Sequence, residues 1–171
     1  MPDLADILAP RLRLLLVAIN PAPASAAAGL HFATTRNPFW RLLHESGLTT
    51  TQLAPEDANR LLDHGIGLVS LVARPTRAAA ELGRAERRAG AAALEATALR
   101  LRPRVVALLG LTLFAVVFPD ADEPGPGAKR VKLAGATVFV LPNPSGRNRA
   151  YPGFAPKLRW YRALAETLPP R

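Results

Sequence analysis

The sequence contains no cysteine, which excludes disulfide bonds, a thiol nucleophile and iron–sulfur clusters held by cysteine. Its three histidines, His31, His44 and His64, lack the spacing of metal ligands, so we expect no metal and no other cofactor. The apolar runs are too short to span a bilayer, and no small-residue cleavage site follows an apolar segment. We therefore expect a cytoplasmic protein without a membrane segment or a secretory signal peptide.

Acidic residues are fewer than basic ones. The chain has 13 Asp and Glu against 22 Lys and Arg, a net charge of +9. This balance favours a polyanionic partner, most simply nucleic acid. A composition rich in alanine, leucine and arginine is also typical of a GC-rich bacterial genome, so charge alone leaves both interpretations open. The 171 residues, 49% of them hydrophobic, predict one globular domain over residues 1–171.

Apolar runs alternate with helical segments along the chain, which predicts an α/β three-layer α/β/α sandwich with a central, mainly parallel sheet. Asn37 is the expected N-cap of the first helix, with Pro38 at the first helical position. We predict strands at 11–19, 65–72, 104–109 and 137–141, helices at 37–47, 55–64, 86–102, 111–118 and 155–168, and loops at 21–36 and 120–129.

Two polar segments follow predicted strands and are the strongest indication of function. Asn20 and Pro21 close the first strand, and residues 143–149, with the sequence NPSGRNR, close the last one. The carboxyl ends of parallel strands collect ligands at one edge of a sheet. Amides and arginines at this edge, in a basic chain, predict a site for a base and a phosphate backbone.

Several classes of enzyme are disfavoured by what these two segments lack. They contain no acidic residue, which disfavours a hydrolase with two carboxylates. They contain no lysine either, since the only lysines are Lys129, Lys132 and Lys157, so Schiff-base chemistry is not expected. No G-x-S-x-G, G-x-G-x-x-G or Walker pattern is present. An enzyme built this way must stabilise its transition state with amides, backbone groups and arginine.

A series of short blocks along the chain carries a family resemblance. In order they are Ala18-Ile19-Asn20-Pro21, Phe32-Ala33, Asn37-Pro38-Phe39-Trp40, Ser46-Gly47-Leu48-Thr49, Leu61-Leu62-Asp63, Gly65-Ile66-Gly67, Leu71-Val72, Arg74-Pro75-Thr76, Arg88-Ala89-Gly90, Pro103, Leu109-Gly110 and Leu141-Pro142-Asn143-Pro144-Ser145-Gly146. On these blocks the chain resembles the mismatch-specific uracil/thymine-DNA glycosylases, of the uracil-DNA glycosylase superfamily, over roughly residues 14 to 165. The resemblance implies a uracil-DNA glycosylase-like fold and hydrolysis of the N-glycosidic bond of uracil mispaired with guanine in double-stranded DNA.

The resemblance implies catalytic and base-binding roles for residues around the first segment. Asn20 matches the asparagine that positions water, and a neutral amide there implies slow turnover. Phe32 matches the aromatic residue that stacks on the extruded base. Backbone groups of Ile19, Ala22 and Phe32 would read the uracil edge, as flipped bases usually are read. The family commonly has glycine where this chain has Ala22, and a methyl group there leaves the base specificity open. Ser25 lies where the pocket meets C5 of the pyrimidine, and a side chain there favours uracil over thymine.

Other residues of the resembling blocks have an ordinary structural interpretation beside the functional one. Asn37 matches an asparagine near the base and sugar, although helix capping explains it. Ser70 either touches the site or packs, and we favour packing. Trp40 is expected in the core, Asp63 at a helix end, and His31 exposed in a loop.

The second segment matches the family's second motif. Asn143 would face the site as a second catalytic residue and support the uracil or a phosphate. Arg147 matches the residue that enters the duplex and fills the gap left by the flipped nucleotide, where a guanidinium can stack and donate to the widowed guanine. Arg149 and Lys157 are candidate phosphate contacts, and solvated surface charge is the other interpretation of each. The predicted DNA-binding wedge comprises Ser145, Gly146, Arg147, Asn148 and Arg149.

Three alternatives remain beside a monomeric, monofunctional mismatch-specific glycosylase without a cofactor. The first is a broader glycosylase for deaminated or alkylated bases, such as xanthine, hypoxanthine or ethenocytosine. The second is a catalytically weak module that binds mismatches or abasic sites, which the departure at Ala22 keeps open. The third is an unrelated nucleotide-binding α/β protein, disfavoured because no phosphate-cradling glycine loop is present.

Overall fold

A computed structural model describes residues 4–170 as an α/β sandwich around one five-stranded sheet. The strand order is β2-β1-β3-β5-β4. Four strands are parallel and β4 pairs antiparallel with β5 at the sheet edge. The strands are β1 (Leu14–Ala18), β2 (Ile66–Ser70), β3 (Val105–Leu109), β4 (Gly127–Leu133) and β5 (Ala136–Leu141).

Helices connect the parallel strands and cover both faces of the sheet, whereas β5 follows β4 directly. The α-helices are α1 (Pro23–Ala28), α2 (Phe39–Glu45), α3 (Arg84–Leu101), α4 (Leu111–Val117) and α5 (Ala155–Thr167). Two 3₁₀ segments add Pro55–His64 and Ala79–Glu81. Among the described residues no helix is both long and apolar enough to cross a membrane.

The three layers follow from the alternation of side chains along the strands. In β1, Leu14 and Leu16 face a core formed with α2 and α5, whereas Leu15 and Val17 face a core formed with α3 and α4. Successive side chains of a strand point to opposite faces, so an entirely apolar strand must be covered on both. This confirms the predicted three-layer sandwich with a mainly parallel sheet.

The topology leaves a crevice at the carboxyl ends of β1 and β3. After β1 the chain passes through the short helix α1 to α2, whose apolar residues pack in one core. After β3 it passes to α4, whose apolar residues pack in the other core on the opposite face. Connections that leave neighbouring strands toward opposite faces open a gap between them, and ligands of open α/β sheets bind in such gaps.

Two predicted loops contain regular structure that their composition hides. Residues 21–36 include the helix α1, which begins with a proline and ends at Gly29 with a φ of 67°. The segment 120–129 ends inside β4. The buried and exposed positions of this strand alternate, but charged residues interrupt the alternation of apolar and polar residues that would have predicted it. Lys129 is buried there, and its Nζ is satisfied by hydrogen bonds to the carbonyls of Glu123, Pro124 and Gly125 at 2.6–3.3 Å.

The expected helix start at Asn37 was wrong by two residues. Helix α2 begins at Phe39, so Pro38 and not Asn37 holds the N-cap position. The Asn37 Oδ1 still accepts a hydrogen bond from the Phe39 amide at 3.0 Å. The other predicted strands and helices are confirmed, with ends that move by up to three residues.

Candidate active site

A cleft of about 290 Å³ occupies the crevice at the strand ends. It is lined by the ends of β1, β2 and β3 together with the segments that follow β1 and β5. No acidic side chain is among its described lining residues. Of the residues predicted for base binding and catalysis, the cleft brings together Ile19, Asn20, Ala22, Ser25, Phe32, Asn37, Ser70 and Asn143, and Ser145 from the predicted wedge.

The carboxamide of Asn20 is held in one orientation. Its Nδ2 donates to the carbonyl oxygen of Arg74 at 2.9 Å and to the Oγ1 of Thr76 at 2.7 Å. A carbonyl only accepts hydrogen bonds, so the NH₂ group must be on this side. The Oδ1 of Asn20 accepts from no group among the described residues and is left as an acceptor in the cleft.

The segment that holds Asn20 is itself anchored to the β1 end and to α3. The Thr76 amide donates to the Pro21 carbonyl at 3.2 Å, which joins the two segments. The Arg74 guanidinium donates to both carboxylate oxygens of Glu86 at 2.9 and 2.8 Å. Hydrogen bonds from Arg74, and then from the Gly83 amide, lower the pKa of Glu86 to about 2. This bidentate pair fixes the chain that carries the Arg74 carbonyl.

Phe32 forms an aromatic wall of the cleft. Its backbone φ is 49°, and its ring stacks on Phe39 with centroids 3.9 Å apart. Neighbouring His31 is clamped from two directions, because its Nε2 lies 2.7 Å from the Ala5 carbonyl and its own carbonyl accepts from Trp40 Nε1 at 3.2 Å. A carbonyl partner requires the proton on Nε2. These contacts hold Phe32 in an uncommon left-handed conformation.

The expectation that His31 is exposed was wrong, since its accessibility is only 8%. Trp40 is buried in the core as predicted. The local sequence around His31 could not predict its burial, because the partner of its ring is the carbonyl of Ala5, 26 residues earlier in the chain. Asp63 lies exposed in a 3₁₀ segment and does not line the cleft.

Two further cleft residues have their acceptor atoms occupied. The Oγ of Ser25, a buried residue of α1, accepts from the Ala33 amide at 3.2 Å. The Oδ1 of Asn37 accepts from the Phe39 amide, which leaves the Nδ2 of Asn37 as a donor.

Ala22 is exposed and precedes the first turn of α1. The carbonyl of Ile19 is bonded to the Val72 amide at 3.0 Å, so it already has one partner.

Residues 143–149 form a loop stabilised by its own side chains. The Oδ1 of Asn143 accepts from the Ser145 amide at 2.9 Å, and the Oγ of Ser145 accepts from the Arg147 amide at 3.2 Å. The Nδ2 of Asn148 donates to the Asn143 carbonyl at 3.0 Å. The Nδ2 of Asn143 therefore remains available as a donor. Gly110, with a φ of 126°, lies beside this amide, which is 3.6 Å from the position of a Cβ at residue 110.

The tip of this loop lies beside the main cleft and does not line it. Arg147 and Asn148 line an adjoining depression that shares Ile19, Asn143 and Ser145 with the cleft. Gly146, Arg147 and Arg149 are exposed, and a Cβ built on Gly146 would meet no atom within 4 Å. The loop thus presents an arginine beside the cleft at a position open to a macromolecular ligand.

Lys157 was wrongly expected at a phosphate. It lies in α5 with an accessibility of 2%, and burial lowers the pKa of its amine. Thr76, by contrast, lines the cleft and bonds to Asn20, although the sequence assigned it no role. Its only sequence signal is its place in the Arg74-Pro75-Thr76 block, and local patterns do not reveal a contact across 56 residues.

Comparison with protein families agrees with this geometry. The model of the Uracil DNA glycosylase superfamily matches residues 5–165, nearly the whole chain. This superfamily consists of DNA glycosylases, hydrolases that remove uracil from DNA in base-excision repair. The matched region contains the anchored Asn20, the Phe32 wall and the loop 143–149. The chain therefore belongs to the uracil DNA glycosylase superfamily.

Proposed function

We propose that this protein is a monofunctional, mismatch-specific glycosylase that removes uracil paired with guanine from double-stranded DNA. The observation that supports it most directly is the orientation of Asn20. Two acceptors hold its Nδ2, and its Oδ1 is left to accept a hydrogen bond in the cleft. An amide oxygen accepts a hydrogen bond from water but is too weak a base to take its proton, so Asn20 would orient the water and not deprotonate it.

In the proposed reaction the bond between C1′ of the deoxyribose and N1 of uracil breaks, and the electron pair leaves with uracil. Water oriented by Asn20 forms the new bond to C1′, and its proton passes to solvent, while the uracil anion takes up a proton from solvent. The products are uracil and an abasic site. No lysine is among the lining residues that the structure describes, so the abasic sugar is not expected to be cleaved through a Schiff base. Since no carboxylate of residues 4–170 lines the cleft either, turnover should be slow.

The cleft offers groups that match the edge and face of a uracil ring. The Nδ2 atoms of Asn37 and Asn143 are donors whose oxygens are occupied, and uracil presents two carbonyl oxygens. The amides of Ala22 and Phe32 have no partner among residues 4–170 and supply further donors. Phe39 covers one face of the Phe32 ring, so the base would stack on the other. Ser25 would meet C5 and disfavour the methyl group of thymine.

Loop 143–149 would enter the duplex while the uracil is flipped into the cleft. Arg147 is exposed and lines the depression that adjoins the cleft. Its guanidinium can stack in the vacated position and donate to the unpaired guanine. Flipping costs a few kcal/mol and costs least for a mismatched base. Both effects favour uracil opposite guanine over uracil opposite adenine. A single lesion imposes no symmetry, so the protein would act as a monomer, which light scattering checks.

The first test is single-turnover release of uracil from labelled duplexes that carry G:U, A:U or G:T, and from single-stranded uracil DNA. We expect release from G:U to be fastest, and Asn20→Ala to slow it by about 10²-fold or more, the range for one positioned polar group. Asn59→Ala is the matched control, because Asn59 is exposed and does not line the cleft.

Two outcomes would separate the alternatives, and a third measurement tests the wedge. Tight binding to G:U or abasic duplex without release would indicate a binding module and overturn the proposed activity. Release of xanthine, hypoxanthine or ethenocytosine faster than uracil would indicate the broader glycosylase. Arg147→Ala should reduce the ratio of G:U to A:U rates, and an unchanged ratio would contradict the proposed wedge.

A further inference from the structure

We propose that Thr76 is a positioning residue, whose hydroxyl keeps the carboxamide of Asn20 in the orientation that presents Oδ1 to the attacking water. The inference rests on the proposed function of Asn20. It assigns to Thr76 no contact with DNA or with the reacting atoms. Two hydrogen bonds in series, from Asn20 to the Thr76 hydroxyl and from that hydroxyl to the Ala78 carbonyl, decide which atom of Asn20 faces the cleft.

The hydroxyl of Thr76 stands between a donor and an acceptor. It accepts from the Asn20 Nδ2 at 2.7 Å and donates to the Ala78 carbonyl at 2.8 Å. Because the Ala78 carbonyl only accepts, it must take the hydroxyl proton. The lone pairs of Oγ1 are then the part of the hydroxyl that faces Asn20. A group that can only accept at this position requires the NH₂ side of the amide.

The reversed amide would lose both contacts. Its Oδ1 would lie against the Arg74 carbonyl, which is 2.9 Å from Nδ2 in the observed orientation. It would also meet the lone pairs of a Thr76 hydroxyl whose proton is held by Ala78. Unpaired acceptors that face one another in a partly buried site are costly. The Arg74 carbonyl and the Thr76 hydroxyl therefore act together, but only the hydroxyl can be removed by a side-chain substitution.

Burial of Thr76 and a hydrogen bond from its backbone amide restrict the movement of its hydroxyl. Thr76 has an accessibility of 7%, and its amide donates to the Pro21 carbonyl at 3.2 Å. Thr76 is thus bonded to Asn20 through its side chain and to Pro21, the next residue, through its backbone. Water competes poorly for a buried hydroxyl that already has two partners, so the orientation of Asn20 is set before DNA binds.

The chain contains a close control for the substitution. Thr49 is buried at 2%, and its Oγ1 donates at 2.9 Å to the carbonyl of Thr51, two residues along the chain. Thr76 makes the same local bond to a carbonyl two residues on. The two threonines differ in that only Thr76 accepts from Asn20. Valine at either position removes the hydroxyl and preserves the volume closely.

The experiment is a double-mutant cycle on single-turnover release from G:U duplex at saturating enzyme. We expect Thr76→Val to slow release by about tenfold, from a misoriented amide, with the affinity for abasic duplex unchanged. Thr76→Ser, which keeps the hydroxyl, should stay within about threefold of wild type, as should Thr49→Val. In an Asn20→Ala background, Thr76→Val should have no further effect, because its target is absent.

Two kinetic results would overturn the inference. One is Thr76→Val at the wild-type rate. The other is an equal slowing of wild type and Asn20→Ala by Thr76→Val, which would show that Thr76 acts on the fold and not through Asn20. A loss of affinity for abasic duplex comparable with the loss of rate would likewise contradict it.

A spectroscopic measurement tests the hydrogen bond between Asn20 and Thr76 and does not depend on enzymatic activity. The ¹⁵N–¹H₂ resonances of the Asn20 side chain, assigned by their loss in Asn20→Ala, should show protection from solvent exchange that Thr76→Val abolishes and Thr49→Val retains. Unchanged protection in Thr76→Val would overturn the inference. If the wild type releases no base, the proposed function fails while this readout still decides the role of Thr76.

Discussion

The Nδ2 of Asn20 lies 2.9 Å from the carbonyl oxygen of Arg74, which can accept a hydrogen bond but cannot donate one. A carboxylate at position 20 would place an oxygen against this carbonyl. The contact disfavours the charged form, so the pKa of the introduced carboxyl should rise above the usual value of about 3.9.

We therefore predict that Asn20→Asp has a release rate that climbs with pH above that ordinary value, as the carboxyl ionises and can serve as a base. The wild-type amide has no such step. Single-turnover rates on G:U duplex between about pH 4 and pH 8 would measure it. Profiles of the same shape for both proteins, or an inflection at the ordinary aspartate pKa, would contradict the prediction.

Phe32→Leu should lower the affinity of the cleft for uracil. Stacking of a base on an aromatic ring contributes roughly 1–3 kcal/mol, which corresponds to about 5- to 150-fold in affinity. Inhibition of the enzyme by free uracil would report this loss. The control is Phe118→Leu, which removes another half-buried ring from an aromatic pair, here with Phe114 in the opposite core. Equal effects of the two substitutions would rule out a stacking role for Phe32.

Substitutions of Arg149 and Lys157, both candidate phosphate contacts from the sequence, should differ in their effect on the salt dependence of DNA affinity. Arg149 is exposed, so Arg149→Ala should reduce the slope of log affinity against log salt by about 0.9, the value for one phosphate contact. Lys157 is buried, so Lys157→Met should retain the wild-type slope.

The stability of the lysine variant gives an independent check. Burial lowers the pKa of the Lys157 amine, which means that the folded state disfavours its charge. The melting temperature of Lys157→Met should therefore equal or exceed that of the wild type. A reduced salt slope for this variant would show that α5 reaches the DNA after all.

Glu86 should contribute to stability against acid. Hydrogen bonds from the Arg74 guanidinium and from the Gly83 amide lower its pKa from 4.5 to about 2. A carboxyl whose pKa is depressed in the folded state stabilises the protein above its unfolded pKa, and this contribution is lost as the pH falls from about 4.5 toward 2. Glu86→Gln should make the decline of unfolding free energy in this window shallower. Urea titrations at several pH values would measure it, and identical slopes would exclude the contribution.

Much of the fold could be predicted because local physical rules and tertiary packing agree in the central elements. Strand β3 is apolar throughout and buried on both faces, as a central parallel strand must be. Strand β4 was missed because three of its residues, Lys129, Arg130 and Lys132, are charged. The carbonyls that satisfy Lys129 come from residues 123–125, and no propensity describes that arrangement.

For the site, the sequence by itself determined which polar groups follow the strands β1 and β5. The parallel order of β1, β3 and β5 then required Asn20 and Asn143 to lie at one edge of the sheet. Residues far apart in the chain could be predicted to share a site for this reason. Which atom of each amide faces the cleft was not predictable, since that depends on partners elsewhere.

Only the tertiary structure decided those partners. Asn20 presents its oxygen because the Arg74 carbonyl and the Thr76 hydroxyl occupy its nitrogen, whereas Asn143 presents its nitrogen because the Ser145 amide occupies its oxygen. The same packing buries Lys157 and leaves Arg149 exposed. Hydrogen bonding is directional and burial depends on the whole fold, so residue type sets what each side chain can do and the assembled structure selects what it does.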